Sequence, residues 1–385
     1  MANFKSQDVK NYIENLLPEG DGLDKLVLLF QISKSNKYAL LEAIGKDTSG
    51  ALSFVKDEIS KESIFREITH EELSQRIKQR SEVSIMVWDE KPRLSVAGVQ
   101  EKLPVCKING KYGLGDGTLS STHILKFDKG NDNLVLNEYT SLYLAKIAKL
   151  TIPNIEILDF DGELVLEVER FDRIIIDDKH VKKLHVIDSC QALGFPPSLK
   201  YERNFGNQRD VKEVRQGVSF LRLNKLSKKY AQIPIMMKMK MIDWTIINLI
   251  LGNSDAHGKN ISFFVDRKGL SLTPFYDIVN IFLYSGKYET AFAMAIDDEF
   301  DINKLAAFDI AIHCYEMEIT PKIFNDSFKR ISKAILKEFK TGIIVEKISE
   351  YDSNFILNYK KDITKRIEFL LKVCEDASKI KKDGI

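Results

Sequence analysis

The chain has 385 residues, with 57 Lys and Arg against 56 Asp and Glu, and its formal net charge is +1. This balance gives no overall electrostatic reason to bind nucleic acid or a membrane surface, and the length predicts two domains rather than one small core. No apolar run approaches the roughly 20 residues that span a bilayer, and the N-terminal MANFKSQDVK lacks the apolar segment of a signal peptide. We therefore expect a cytoplasmic protein with no membrane partner.

Helical and β-rich stretches alternate along the chain. Residues 7–90 are predicted to be mostly helical, because VKNYIENLLP and DKLVLLFQIS space their apolar residues by three and four. From 93 to 175, short β-rich runs such as THILKF and ELVLEVERF are separated by Gly, Asp and Asn turns, with one helix at 137–150. After 180 the pattern is mostly helical except near 261–276, where ISFFV and LSLTPF flank DRKG and predict a hairpin.

The order of these stretches predicts an α+β fold with two lobes. The β-rich N-lobe is expected at 1–175, with a helical start at 7–90 followed by a nucleotide-binding part. The mainly helical C-lobe is expected at 176–385.

The four cysteines bear on the compartment and on metal binding. Cys106, Cys190, Cys314 and Cys374 lie far apart and form no CxxC pair or Cys/His cluster. This spacing predicts reduced, mostly buried thiols and argues against a zinc site.

A polar cluster stands in NSDAHGKN, residues 253–260. Asp255 is followed five positions later by Asn260, and Asp277 comes after the predicted hairpin. Phosphoryl transfer uses this spacing, with an Asp that takes the proton of the acceptor hydroxyl and with Asn and Asp oxygens that bind Mg²⁺. His257 and Lys259 would contact phosphate or support the loop.

The same pattern has a plainer interpretation. A D-x4-N spacing with a later Asp occurs by chance in many loops, and Asn253 and Ser254 can simply turn the chain. The cluster therefore needs partners elsewhere in the sequence.

Two features of the β-rich part supply such partners. Lys126 ends the strand-like HILK and Glu138 opens the next helix, which is the arrangement by which kinases hold the α- and β-phosphates. The alternative is a surface Lys and a helix-start Glu that the helix dipole favours. Upstream, the loop LSVAGVQEK at 94–102 offers backbone amides to phosphate, although its single glycine does not make a GxGxxG motif.

Read in order, the motifs are SVAGVQEK, THILKFD, NEY, VERFDR, CQALGFPPSLKYE, NSDAHGKN and LTPFYDI. This series resembles the HipA family of bacterial serine/threonine protein kinases, the toxins of type II toxin–antitoxin modules. The resemblance extends upstream to IENLLPEGD and LLEAIGKDTSGAL, so it covers about 10–300. It implies a two-lobed protein-kinase-like fold with ATP and Mg²⁺ as cofactors.

The resemblance also implies roles for individual residues. Asp255 would be the catalytic base and Lys126 would act on the phosphates, while Asn260 and Asp277 would bind Mg²⁺. The backbone of Glu169 and Phe171 would form the adenine hinge. The predicted ATP-binding residues are Ser95, Val96, Ala97, Gly98, Gln100, Lys102, Lys126, Glu169, Phe171, His257 and Asn260.

Ser95 matches a loop serine that such kinases autophosphorylate, which switches them off. A phosphate there adds about −1.5 to −2 charges beside the phosphates of ATP, and the repulsion makes an off-switch credible. The alternative for Ser95 is an ordinary turn hydroxyl.

The resemblance further implies partners: a DNA-binding antitoxin and a protein substrate, such as a tRNA-bound aminoacyl-tRNA synthetase or a similar translation protein. Full-length members begin with an additional small β-rich subdomain that is not recognisable here. We therefore expect a separate small protein to supply it; truncation without replacement is the rival hypothesis.

The sequence predicts a growth-arresting kinase toxin, and other functions stay open. One is a pseudokinase that binds nucleotide or antitoxin without turnover, and another is a small-molecule or lipid kinase. Residues 198–240 carry 11 Lys or Arg and 3 Asp or Glu, a local net charge of +8. This segment is either a docking face for an acidic surface or RNA-bound substrate, or a set of solvated helix faces.

Overall fold

The computed structural model describes residues 6–56, 62–89, 91–92, 101–128, 130, 132–284 and 286–384. Within it the chain forms two compact units, one of Met1–Tyr139 with Pro153–Ile187 and the other of Thr140–Ile152 with Asp188–Ile385. The expected boundary between 175 and 176 differs from this division, and as a boundary between functional lobes it stays a prediction.

Helices and strands are both abundant, which confirms the predicted α+β class. The described helices are α1 (Ser6–Glu14), α2 (Asp21–Phe30), α3 (Lys37–Ile44), α4 (His70–Lys78), α5 (Leu134–Ile147), α6 (Ser189–Leu193), α7 (Phe220–Tyr230), α8 (Pro234–Leu251), α9 (Ala307–Glu316), α10 (Pro321–Thr341) and α11 (Ile343–Ala377). The described strands are β1 (Ser63–Glu67), β2 (Val87–Trp88), β3 (Lys91–Pro92), β4 (Lys102–Ile108), β5 (Lys111–Gly117), β6 (His123–Phe127), β7 (Ile155–Phe160), β8 (Glu163–Glu169), β9 (Arg173–Ile175), β10 (Val181–Lys183), β11 (Val186–Asp188), β12 (Ser262–Asp266) and β13 (Gly269–Leu272).

The first unit is built on an antiparallel sheet. Its described strands follow the order β1-β5-β4-β6-β8-β7. The turn between β4 and β5 is Asn109–Gly110, and both residues have positive φ, which a two-residue hairpin of right-handed twist requires. Apolar side chains of three neighbouring strands, Leu103, Leu125 and Val165, are completely buried in the core of this unit.

The N-terminal helices belong to the same core. Leu16, Leu26 and Leu40 pack in one cluster with the sheet residues Leu125 and Phe127. The predicted helical start is therefore confirmed for α1 to α4 but is wrong at 63–67, where β1 pairs with β5 at the edge of the sheet. The sequence of this short segment does not indicate a pairing partner, because its partner β5 lies more than forty residues further along the chain.

The second unit is mainly helical. Helix α8 is buried along most of its length and packs on α10 and α11, while α11 also packs on α9. The predicted hairpin is confirmed, since β12 pairs with β13 and Asp266 faces Gly269 across the turn. The chain after 180 is mostly helical, as predicted, but it also contains β10, β11 and the irregular segments 200–219 and 286–301.

Two chain-wide features concern the cysteines and the membrane. Cys106, Cys190, Cys314 and Cys374 are all buried, as predicted, and none of the four is in a disulfide. Within the described ranges, no helix combines the length and the apolar character that crossing a bilayer demands.

A buried ionic network ties the end of β8 to the segment after α3. Both carboxylate oxygens of Asp172 accept hydrogen bonds from Arg170, at 3.0 and 2.9 Å. Arg173 donates to Asp172 at 2.8 Å and to Asp47 at 3.0 Å, and the Gly50 amide donates to Asp172 at 2.8 Å. Burial by itself raises the pKa of Asp172, but Arg170 and Arg173 outweigh burial and bring the pKa down to about 2.

We predict that Asp172→Asn lowers the free energy of unfolding by about 3–5 kcal/mol at pH 7, because two buried guanidinium groups lose their carboxylate. The folded pKa of about 2 lies below the usual 3.8, so the stabilisation is fully present above pH 3.8 and is lost as the pH falls through 2. Urea unfolding from pH 7 to pH 3 measures the difference in free energy of unfolding between wild type and variant. This difference should be constant down to about pH 4 and should become smaller below it.

The exposed Asp178→Asn is the matched control, and it should change stability by no more than about 0.5 kcal/mol. A gap for Asp172→Asn that stays constant down to pH 3, or a gap no larger than that of the control, contradicts the prediction.

Candidate active site

The predicted loop NSDAHGKN lies directly after the buried helix α8. Gly252 ends this helix with a φ of 68°, and its amide donates to the carbonyls of Asn248 and Leu249. This left-handed residue turns the chain sharply out of the helix. The next residue, Asn253, is fixed at once, because its side-chain amide donates to Asn248 Oδ1 at 2.7 Å.

The loop is closed by hydrogen bonds to one carbonyl. The backbone oxygen of Asp255 accepts from Asn260 Nδ2 at 2.9 Å and from the His257 amide at 2.8 Å. The sequence spacing of five therefore becomes a direct contact between the two residues. The Asp255 side chain is exposed, whereas Asn260 and His257 are buried.

Asp277 is linked to the same loop. Asn253 Nδ2 donates to the Asp277 carbonyl at 3.4 Å. Asp277 has a φ of 59°, a conformation that Asp tolerates better than most residues because of its short polar side chain. Its charge also acts on His257, so the structure brings Asp255, His257, Asn260 and Asp277 together.

His257 is held neutral. Burial, together with the charge of Lys200, lowers the pKa of His257 to about 3. Its Nδ1 atom is buried with no hydrogen-bond partner among the described residues. A neutral imidazole presents one donor and one acceptor nitrogen, so this side chain adds no positive charge to the loop at physiological pH.

Lys259 supports the loop. Its Nζ donates to Asp188 Oδ2 at 3.1 Å, and both side chains are largely buried. Asp188 in turn caps α6 by accepting from the Gln191 amide. Of the two roles considered for Lys259, contact with phosphate or support of the loop, the structure shows the second.

Sequence reasoning missed Tyr201. Its hydroxyl donates to Asp255 Oδ1 at 2.6 Å, and its ring meets that of His257 edge-on with centroids 5.1 Å apart. The residue lies in CQALGFPPSLKYE, a motif that carried the family resemblance without any assigned role. The presence of Tyr201 in this motif was the one sequence signal that could have indicated a role for it.

The segment that carries Tyr201 is anchored by Glu202. The Glu202 amide donates to the Ala293 carbonyl at 2.9 Å, and its carbonyl accepts from the Gly217 amide at 3.2 Å. Its buried carboxylate accepts from Arg215 Nη2 at 2.7 Å and from the Ala295 amide at 2.8 Å. Hydrogen bonds therefore hold both the backbone and the side chain of Glu202 in place.

In the first unit, the predicted lysine–glutamate pair is present. Lys126 on β6 donates to Glu138 Oε1 on α5 at 2.6 Å, and both side chains are buried. Lys102 opens β4 directly opposite Lys126 in the sheet. A buried pair of this kind is costly to desolvate and persists when the geometry is good.

Glu169 and Phe171 lie at the end of β8 and just after it. The Glu169 amide donates to the Asn154 carbonyl at 2.9 Å, and its carboxylate accepts from Asn154 Nδ2 at 2.6 Å. Because the Glu169 amide already donates to Asn154, Glu169 would have to bind adenine through its carbonyl, which would accept a hydrogen bond. Phe171 is half-buried.

The remaining predicted residues lie outside the described part of the chain. They are Ser95, Val96, Ala97, Gly98 and Gln100. In the described part, no group of three or more His, Cys, Asp or Glu side chains could hold a metal. The Asn260 and Asp277 pair is smaller than such a group, so it would need further oxygens, for example from phosphate, to complete a Mg²⁺ shell.

Two family models match this chain. A model of the HipA-like C-terminal domain matches residues 94–339, and a model of the HipA N-terminal domain matches residues 1–55. The first match includes Lys126, Glu138, Asp255, Asn260 and Asp277.

Individual relatives cover most of the chain. The serine/threonine-protein kinase toxin HipA of Shewanella oneidensis is 42% identical over 366 residues, which is 94% of this chain and 84% of the relative. The putative kinase Y4mE of Sinorhizobium fredii is 30% identical over 73% of this chain and 66% of its own length. A chain in the solved complex of HipA, HipB and operator DNA from Shewanella oneidensis MR-1 matches with a TM-score of 0.88 and 40% identity, over 99% of this chain and 89% of that one.

The fold and these matches define a serine/threonine protein kinase with a kinase-like, two-lobed α+β fold. The chain belongs to the HipA family.

We predict that Gly217→Ala destabilises the protein by about 1–3 kcal/mol or more, as overpacking does. An added Cβ at Gly217 would lie 1.8 Å from the Tyr201 carbonyl oxygen and 2.6 Å from that of Leu199, so the backbone beside Asp255 must move. Thermal unfolding should show a lower Tm, together with loss of kinase activity.

Gly22→Ala in α2 is the control, since the nearest atom to its added Cβ is 3.3 Å away. It should change Tm only slightly. Equal Tm values for the Gly217 variant and wild type contradict the close approach of Gly217 to Tyr201.

Proposed function

We propose that the chain transfers the γ-phosphoryl group of ATP to a Ser or Thr hydroxyl of a protein and arrests growth as the toxin of a toxin–antitoxin module. One observation carries the proposal: Asn260 closes the loop on the carbonyl of Asp255 at 2.9 Å, with Asp277 tethered to the same loop through Asn253. Asp255 and Asn260 thus lie in one closed loop, and Asp277, which follows the β12–β13 hairpin, is hydrogen bonded to that loop through its backbone.

These residues fit a magnesium–nucleotide. When bound, ATP supplies the phosphoryl group and Mg²⁺ neutralises the charge of its phosphate oxygens. The amide nitrogen of Asn260 is used on Asp255, which leaves Oδ1 as the atom for a metal. Asn260 and Asp277 would thus supply the hard oxygen ligands that Mg²⁺ prefers.

Asp255 would take the proton of the acceptor hydroxyl. Its side chain is exposed at the loop, so a protein hydroxyl can approach it. The two hydrogen bonds to its carbonyl hold its backbone, and a base held within hydrogen-bond reach of the acceptor contributes about 10²–10⁴-fold to the rate.

Lys126 would neutralise phosphate oxygens. Glu138 holds its ammonium group at 2.6 Å, so the side chain is oriented before a nucleotide binds. The Glu169 carbonyl and the Phe171 amide would bind adenine. The loop of Ser95, Val96, Ala97, Gly98, Gln100 and Lys102 would cover the phosphates, with Ser95 as the site of inhibitory autophosphorylation.

The partner proposal rests on the matched complex, which contains HipA, HipB and operator DNA. By this likeness, a DNA-binding antitoxin would bind and restrain the chain. The supply of a small N-terminal subdomain by a separate partner stays a prediction. The four buried cysteines, none of them in a disulfide, fit action in the reducing cytoplasm.

The substrate would be an aminoacyl-tRNA synthetase or a similar translation protein. Part of the basic segment 198–240 is already engaged within the second unit: Arg215 pairs with Glu202, and Lys228 and Lys238 pair with Glu318. The docking face would therefore be smaller than the whole segment and would consist of the exposed Lys225, Lys229 and Lys240.

We predict that Asp255→Asn and Asp277→Asn each lower phosphate transfer from ATP by at least about 10²-fold and abolish growth arrest. Each change keeps the shape of the side chain and removes the charge that acts in transfer. Phosphate incorporation from radiolabelled ATP and colony counts after induction measure the two effects, and an unchanged Tm shows that the fold is intact.

The exposed Asp266→Asn on the β12–β13 hairpin should match wild type in both assays. Full growth arrest by both active-loop variants would contradict the proposal. Nucleotide binding without transfer in wild type would instead indicate a regulatory pseudokinase.

A further inference from the structure

Tyr201 makes a contact that the proposed function leaves unexplained. Its hydroxyl lies 2.6 Å from Asp255 Oδ1, which is within the distance at which a hydrogen bond to a carboxylate is strong. A strong bond to the one exposed carboxylate of the loop restricts the rotation of that carboxylate.

Tyr201 is itself held in place. Its ring packs edge-on against His257 at 5.1 Å, and the neighbouring Lys200 carbonyl accepts from the Gly258 amide at 2.9 Å. The next residue, Glu202, is anchored by its backbone and by its buried carboxylate. The contacts on both sides of Tyr201 therefore belong to the loop or to its support.

We propose that Tyr201 is a positioning residue for Asp255: its hydroxyl fixes the rotamer of the carboxylate so that Asp255 meets the acceptor hydroxyl in a productive orientation. The inference rests on the proposed function, in which Asp255 is the base. A mobile gate is disfavoured, because both the ring and the flanking backbone are packed and hydrogen bonded.

Fixing the rotamer acts on the transfer step and leaves nucleotide affinity alone. Small misplacements of a reacting group cost rate without changing substrate binding. Loss of the hydroxyl should therefore lower the maximal rate and leave the ATP dependence unchanged. Loss of a merely structural contact would instead lower Tm and weaken nucleotide binding.

The test compares wild type, Tyr201→Phe, Asp255→Asn and the double variant Tyr201→Phe/Asp255→Asn. The rate of phosphate incorporation into the chain itself is measured at rising ATP concentration with Mg²⁺. ATP affinity is measured separately by calorimetry, and Tm by thermal unfolding. Tyr230→Phe serves as the control, because Tyr230 is an exposed tyrosine at the end of α7.

We expect Tyr201→Phe to lower the maximal rate roughly tenfold, as loss of a hydrogen bond to a charged group does. Half-saturating ATP, ATP affinity and Tm should stay at wild-type values, and Tyr230→Phe should match wild type throughout. In the Asp255→Asn background, the Tyr201 change should cause no further loss, because the two residues act as a unit.

Two results would overturn the inference alone: an unchanged or higher maximal rate in Tyr201→Phe, or a fall in rate accompanied by weaker ATP binding and lower Tm. In either case an inactive Asp255→Asn variant leaves the proposed function standing. Wild-type activity in Asp255→Asn, or no incorporation in wild type, would remove the proposed function and the inference with it.

Discussion

The conformation of the loop after α8 depends on one backbone carbonyl. The oxygen of Asp255 accepts from the Asn260 side chain and from the His257 amide, at 2.9 and 2.8 Å, and these bonds close residues 255–260 into a turn. The turn can form here because Gly252 ends α8 in a left-handed conformation, so a buried helix leads straight into an exposed carboxylate. A loop built on such a rigid support holds its groups in place before substrate arrives, and preorganisation of this kind is what phosphoryl transfer chiefly requires.

In both units, buried charged side chains are paired with side chains of opposite charge. Two buried lysines at or near the proposed site residues are paired with acids inside the protein: Lys126 with Glu138, and Lys259 with Asp188. Burial keeps His257 neutral. At the end of β8, the Asp172 carboxylate between two arginines fixes the backbone next to the proposed adenine hinge. Each pair is costly to desolvate, and it persists because the charged groups lie within hydrogen-bond distance of each other.

Local patterns predicted much of this site. The β12–β13 hairpin, the Asp255–Asn260 spacing and the Lys126–Glu138 pair were predictable because their partners lie within about a dozen residues of each other and depend on turn and helix geometry. Strand β1 was missed because an edge strand takes its identity from a distant partner. The bond from Tyr201 to Asp255 joins residues 54 positions apart, and no periodicity in the sequence records such a contact. Only the completed fold brings them together.

The central claim is that the Asp255 loop carries out phosphoryl transfer, and intact mass after incubation with ATP and Mg²⁺ tests it most directly. The samples are unphosphorylated wild type, Ser95→Ala and Asp255→Asn. We expect wild type alone to gain the mass of one phosphate, because Asp255 drives transfer and Ser95 receives the group. A gain of mass in Ser95→Ala would still show kinase activity, but it would mean that a residue other than Ser95 accepts the phosphate. A gain in Asp255→Asn equal to that of wild type would contradict the central claim.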